Sequence, residues 1–134
     1  DRHRADFHAL IDGGMIDVIF ANETEIVALT ETADVEAAIA SLKDKVETLV
    51  VTLAEKGALA QRGDERVTVP AHPVDKVVDT TGAGDLFASG FLYGQTHGQD
   101  LKASLTLGAA CAAEIISHFG ARPQVDLKAL AASL

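Results

Sequence analysis

Thr48-Leu49-Val50-Val51-Thr52-Leu53 is an unbroken run of β-branched and aliphatic residues. A strand with one wet face alternates apolar and polar side chains, so a continuous run of this kind belongs to a sheet covered on both faces, as in parallel α/β sheets. On its N-terminal side, Val35, Ile39, Leu42 and Val46 are spaced four, three and four apart, the stripe of an amphipathic helix. Further upstream, Asn22 opens a helix over residues 22–30, and Ile16-Asp17-Val18-Ile19-Phe20-Ala21 forms a short buried strand. Residues 2–12 place Phe7, Leu10 and Ile11 at helical spacing before the stop at Gly13-Gly14.

On the C-terminal side, residues 57–63 and 65–71 form an antiparallel pair turning at Gly63-Asp64. Val77-Val78-Asp79 reads as a short apolar strand leading into a glycine-rich turn. Helices follow over residues 84–97, 101–118 and 126–133. Strands alternating with helices predict an α/β architecture, a parallel sheet flanked by helices. Only two convincing parallel strands are present, against a usual width of about five. The expectation is the C-terminal part of a longer protein, with 1–134 forming one piece of a single domain.

Composition narrows the function classes. Among 134 residues, 48% are hydrophobic and 23% charged, which is too apolar for disorder. Eleven Lys and Arg against 20 Asp and Glu leave a net charge of −9, which argues against nucleic-acid or anionic-membrane partners. Any phosphate must be held by a local site. The single cysteine, Cys111, sits in an apolar stretch and reads as a buried small hydrophobe. Glu114 interrupts the longest apolar stretch, so no membrane span is expected. The opening Asp1-Arg2-His3-Arg4 carries no apolar signal core, which makes a cytoplasmic protein the expectation. His3, His8, His72, His97 and His118 have no zinc-ligand spacing, and no Gly-x-Ser-x-Gly elbow occurs.

The chemistry concentrates in Asp79-Thr80-Thr81-Gly82-Ala83-Gly84-Asp85. Glycines 82 and 84 let backbone approach a ligand without Cβ obstruction. The amides of Gly82, Ala83, Gly84 and Asp85 would converge at a helix N-terminus, where partial positive charge attracts anions without a lysine. No Lys follows the second glycine, which excludes the Walker loop. Phe87 stands where a dinucleotide fold needs its third glycine. Asp85, in the first helical turn beside the nest, is poised to accept the proton of a hydroxyl attacking phosphorus. The bland reading is a common βα connector with an acidic residue at a helix N-terminus for dipole reasons.

Residues 79–87 followed by Gly90 resemble the C-terminal signature of the ribokinase/PfkB carbohydrate kinases, ATP-dependent kinases of sugars and nucleosides with an α/β domain and a small lid. The resemblance implies that Asp85 is the catalytic base and that Gly82, Ala83 and Gly84 form the anion hole. Asn22-Glu23-Thr24-Glu25 resembles the family's Asn-x-x-Glu element, which implies that Asn22 and Glu25 organise Mg2+, often through water; the same spacing is a capping box, and both uses can coexist. Thr52-Leu53-Ala54-Glu55-Lys56-Gly57 resembles the family's Thr-x-Gly-x-x-Gly nucleotide loop, with Ala54 in place of the first glycine. Thr52 and Gly57 are then nucleotide contacts, although Thr52 reads equally as a plain strand residue.

Leu107-Gly108-Ala109-Ala110-Cys111-Ala112-Ala113 is a small-residue helix face suited to close helix packing. In the family the matching helix borders the adenine, which singles out Ala109 and Ala113. Gly120-Ala121-Arg122-Pro123 resembles the family's closing Gly-Ala-x-Pro turn. That implies a site for a monovalent cation such as K+ from Asp79, Thr81, His118, Ala121 and Gln124, mostly through backbone carbonyls. Gln124 stands where a small hydroxyl residue is common.

The resemblance implies transfer of the γ-phosphoryl group of ATP, with Mg2+, to a primary hydroxyl of a small molecule. The run from Phe20 to Glu23 and that from Ile115 to His118 look most like bacterial adenosine-kinase-like members, so a nucleoside, adenosine first, ranks above a sugar. A sugar or sugar-acid kinase of ribokinase, fructokinase or 2-keto-3-deoxygluconate kinase type is the alternative. A non-catalytic nucleotide- or phosphate-binding module is the alternative of another class. Some members form homodimers through a lid, a segment not among these residues.

Overall fold

The computed structural model describes residues 3–134, and the expected helix start at residue 2 lies outside the described residues. Two compact units are present. One runs up to Leu53 and includes Leu59–Arg66; the other comprises Ala54–Ala58 and Val67–Leu134.

In the first unit, β1 (Val18–Asn22) and β2 (Thr48–Thr52) pair in parallel, with Val18 opposite Thr48 and Asn22 opposite Thr52. The strand predicted over 16–21 begins two residues later and includes Asn22. β2 is buried on both faces, since Leu49, Val50 and Val51 are fully enclosed. β3 (Ala58–Arg62) and β4 (Glu65–Val69) extend the sheet in the order β1-β2-β3-β4. The two-residue turn at Gly63-Asp64 obliges β3 and β4 to run antiparallel, so the sheet is mixed rather than wholly parallel.

Helix α1 spans Arg4–Asp12, α2 Glu23–Thr30 and α3 Val35–Leu42. Their inward residues Ile11, Ile26, Ala38, Ile39 and Leu42 meet Leu49, Val51 and Leu59 in one core. The predicted α1 stripe is only partly realised: Ile11 is buried, whereas Phe7 and Leu10 are 52% and 46% exposed. Val46 lies beyond the end of α3 yet is buried. Its amide bonds to the Leu42 carbonyl at 3.2 Å, so one isolated turn preserves the four-residue step of the stripe.

The second unit holds α4 (Ala83–Thr96), α5 (Leu101–Ile116) and α6 (Leu127–Ala132). α4 and α5 meet along a seam of small residues. A Cβ on Gly90 would fall 2.9 Å from the Leu107 carbonyl oxygen and 3.0 Å from Cys111 Sγ. One on Gly108 would fall 2.8 Å from the Phe87 carbonyl oxygen. The small-residue face of α5 is therefore, in part, a helix-packing surface. Cys111 is buried in it, and burial pushes its thiol pKa upward.

The segment before α4 differs from expectation. Val77-Val78-Asp79 forms no strand, and Val77 is 53% exposed. The Val78 and Asp79 amides instead donate to the Ile116 carbonyl at the end of α5, at 2.8 and 3.4 Å, which ties the segment to a helix end without sheet pairing. No helix among the described residues is long and apolar enough to cross a membrane.

Candidate active site

The turn that opens α4 is built around Asp79. Thr81 donates both its amide and its hydroxyl to Asp79 Oδ1, at 2.9 and 2.7 Å. The other carboxylate oxygen, Oδ2, accepts the Gly120 amide at 3.0 Å. The Thr81 hydroxyl, then the Gly120 and Thr81 amides, hold the Asp79 pKa down to about 2. Gly82 follows with φ of 81°, a left-handed conformation that any Cβ would strain. A Cβ there would also lie 3.1 Å from that of Ala121.

Of the four amides expected in the nest, that of Ala83 is turned aside. It donates to the Thr80 carbonyl at 3.2 Å, closing the turn itself. The amides of Gly82, Gly84 and Asp85 donate to no oxygen among the described residues. The first turn of a helix leaves such donors free by geometry. Over Gly84 there is open space: nothing lies within 4 Å of where its Cβ would be. Neither backbone strain nor crowding within the chain requires glycine at that position, although glycine in a helix costs about 0.5–1 kcal/mol relative to alanine. Asp85 is exposed beside it, and no donor among the described residues reaches its carboxylate. Its backbone carbonyl accepts the Ser89 hydroxyl at 2.8 Å.

A second cluster holds the turn over residues 118–124. Glu114, on the last turn of α5, is nine-tenths buried. Its Oε1 accepts the Gln124 amide at 2.8 Å and lies 3.0 Å from His118 Nε2. Its Oε2 is buried without a partner. The hydrogen bond to Glu114 is the main cause that raises the His118 pKa. The His118 ring is thereby directed at Glu114 and the Gln124 amide is engaged, which leaves backbone carbonyls as the groups of this turn suited to a hard cation.

Residues 3–127 match the pattern of the pfkB family carbohydrate kinases. The chain belongs to this family. It is 41% identical over 106 residues to an uncharacterized sugar kinase of Archaeoglobus fulgidus, covering 78% of this chain and 42% of that one. It is 36% identical over 108 residues to a cytidine kinase of Thermococcus kodakarensis, covering 78% and 38%. The crystal structure of adenosine kinase from Sinorhizobium meliloti superposes with a TM-score of 0.95 at 43% identity, over 98% of this chain and 40% of that one. The pfkB-family chain thus has the expected ribokinase-like α/β fold, and it spans about two-fifths of the length of these relatives.

The other expected site residues of the pfkB-family chain fall in defined places. Asn22 and Glu25 form a complete capping box at the start of α2. Asn22 Oδ1 accepts the Glu25 amide at 2.8 Å, and Glu25 Oε2 accepts the Asn22 amide at 2.9 Å. Glu25 Oε1 is left to solvent. With one free carboxylate oxygen, the pair suits a magnesium ion held mainly by phosphates and water. Among the described residues no group of three or more His, Cys, Asp or Glu could hold a metal by itself.

Thr52 is half-buried at the end of β2. Gly57 has φ of 102°, and its Cβ would fall 2.0 Å from the Val69 carbonyl oxygen, so the fold alone demands this glycine. Ala54 adopts φ of 52° despite its side chain, a left-handed backbone form natural to glycine. Ala109 and Ala113 are buried on α5, 8% and 5% exposed. Glu114 had been visible in the sequence only as the charge that breaks an apolar run. A Glu and a His four apart at a helix end, just before the Gly-Ala-x-Pro turn, was the signal available.

Proposed function

We propose that this chain is the C-terminal nucleotide-binding and catalytic part of a ribokinase-fold kinase that transfers the γ-phosphoryl group of ATP to a primary hydroxyl of a nucleoside, adenosine first. The observation that carries the reading is the pairing of an unengaged Asp85 carboxylate with unpaired Gly84 and Asp85 amides under open space.

Those amides are fixed donors aimed at a place where negative charge can build up. The acceptor hydroxyl attacks phosphorus as the bond to the ADP oxygen breaks. Asp85 orients that hydroxyl and takes its proton, late in a loose transition state. Gly82 supplies the left-handed turn that directs the amides. Magnesium, when bound with ATP, neutralises phosphate charge, and Asn22 with Glu25 contributes through water. Thr52, Gly57, Ala109 and Ala113 are assigned to the nucleotide side, Gly57 by shaping backbone. Backbone carbonyls around Asp79, Thr81, His118, Ala121 and Gln124 are assigned to a monovalent cation such as K+.

Similarity to an adenosine kinase at 43% identity supports a nucleoside acceptor. Similarity to a sugar kinase at 41% supports the second reading, a sugar acceptor. The test is ADP release from Mg-ATP by the full-length protein across nucleosides, ketoses, aldoses and sugar acids, with Asp85→Asn alongside. Acceptor-dependent release that the variant loses supports the kinase and names its substrate class. ATP binding without acceptor-stimulated release by any member of the panel would favour a non-catalytic binding module.

A further inference from the structure

The turn over residues 118–124 has little to hold it. Phe119 is 80% exposed, and Gly120, Ala121, Arg122 and Gln124 are all exposed outside regular structure. Yet the turn touches the opening of α4 twice, through the Gly120 amide on Asp79 Oδ2 and through Ala121 against Gly82. Glu114 Oε1 reaches both ends of the turn, the His118 ring at one and the Gln124 amide at the other. One buried oxygen therefore closes the turn like a clasp.

We propose that Glu114 is a positioning residue: by clasping residues 118 and 124 it fixes Gly120 and Ala121 against Asp79 and Gly82, and so fixes the turn that presents the Gly84 and Asp85 amides. Glu114 touches no reacting atom. It acts through the turn over residues 118–124, and the proposal rests on the kinase reading of those amides. Its unpartnered Oε2 argues against a purely stabilising role, because an unpaired buried oxygen carries a desolvation cost that an apolar side chain would avoid. A nest displaced by a fraction of an ångström would still bind nucleotide but would align poorly with the moving phosphoryl group.

The test compares Glu114→Leu and Glu114→Gln in the full-length protein, both checked for folding by thermal melting. Leucine keeps the volume and removes the acceptor, whereas glutamine keeps an acceptor oxygen. The expected result is a kcat at least about tenfold lower in Glu114→Leu with KM for Mg-ATP within about twofold, and recovery of most of that kcat in Glu114→Gln. A folded Glu114→Leu with wild-type kcat, or a Glu114→Gln as impaired as the leucine variant, overturns the proposal.

Amide hydrogen exchange gives a readout independent of turnover. Faster exchange at Gly120 in Glu114→Leu than in wild type supports the clasp, and unchanged exchange overturns it. If the wild type phosphorylates no acceptor, the kinase reading fails separately, and the exchange result still decides the clasp.

Discussion

Asp79 and Gly120 are 41 residues apart in the chain and joined by one hydrogen bond of 3.0 Å from the Gly120 amide to the carboxylate. That bond ties the residues that precede α4 to those that follow α5. It also makes the joint sensitive to acid. The folded Asp79 pKa, about 2, lies below the ordinary value of 3.8. A depressed carboxylate contributes stability that is present above its unfolded pKa and is lost as pH falls through the folded one. Unfolding followed from pH 5 down to pH 2 should therefore show a loss of stability between about 3.8 and about 2. Asp79→Asn should flatten that part of the curve; an unchanged acid limb in the variant would mean that the hydrogen bonds from the Thr81 hydroxyl and the Gly120 and Thr81 amides carry no weight.

Asp85→Asn should leave the fold and ATP binding intact, because no donor among the described residues relies on its carboxylate. Turnover should fall by about 10²–10⁴-fold, the usual worth of a positioned general base. Near-wild-type kcat would remove Asp85 from the chemistry.

Gly84→Ala separates stability from activity. The added Cβ enters open space in helical backbone, so stability should rise by about 0.5–1 kcal/mol. Turnover should fall at least about tenfold, because the methyl group occupies the approach to the amides. A thermal shift upward with unchanged kcat would show that the space over Gly84 is not used by substrate.

Ala54 and Gly57 should respond in opposite directions. Ala54 holds φ of 52°, so Ala54→Gly should gain about 0.5–1 kcal/mol after glycine's entropy cost is counted. Gly57→Ala brings a Cβ to 2.0 Å from the Val69 carbonyl and should cost more than about 3 kcal/mol or prevent folding. Chemical denaturation of both variants checks the pair.

Gly108→Ala probes the seam. Its Cβ would meet the Phe87 carbonyl oxygen at 2.8 Å, so α4 and α5 must part, at about 1–3 kcal/mol. The melting temperature should drop accordingly, and an unchanged value would mean that the helices separate without cost.

Much of this was legible from residue pattern. The β-branched run at residues 48–52 is enclosed on both faces, and the helices at 83–96 and 101–116 lie within a residue or two of their periodicity. Phe7 and Leu10 misled because helical spacing records which face is apolar and not whether anything covers it. Val77 and Val78 misled because β propensity cannot distinguish sheet pairing from amide bonds to a helix end. At the site, Gly82 and Gly84 stood out, but the diversion of the Ala83 amide depends on turn geometry that spacing does not encode. Glu114 escaped because only His118, four residues on, is legible as a partner from spacing, whereas Gln124 is brought to the same oxygen by a turn that spacing does not encode.

The glycine seam also has a mechanical consequence. With backbone close to backbone at Gly90 and Gly108, α4 cannot slide along α5 without collision. The end that carries Asp85 therefore behaves as one stiff piece with the end of α5 that carries Glu114. Changes of sequence elsewhere can reshape what is presented to this piece without retuning the piece itself. Under the proposed function, the Asp85 end is in that sense a module that could stay constant while substrates were exchanged around it.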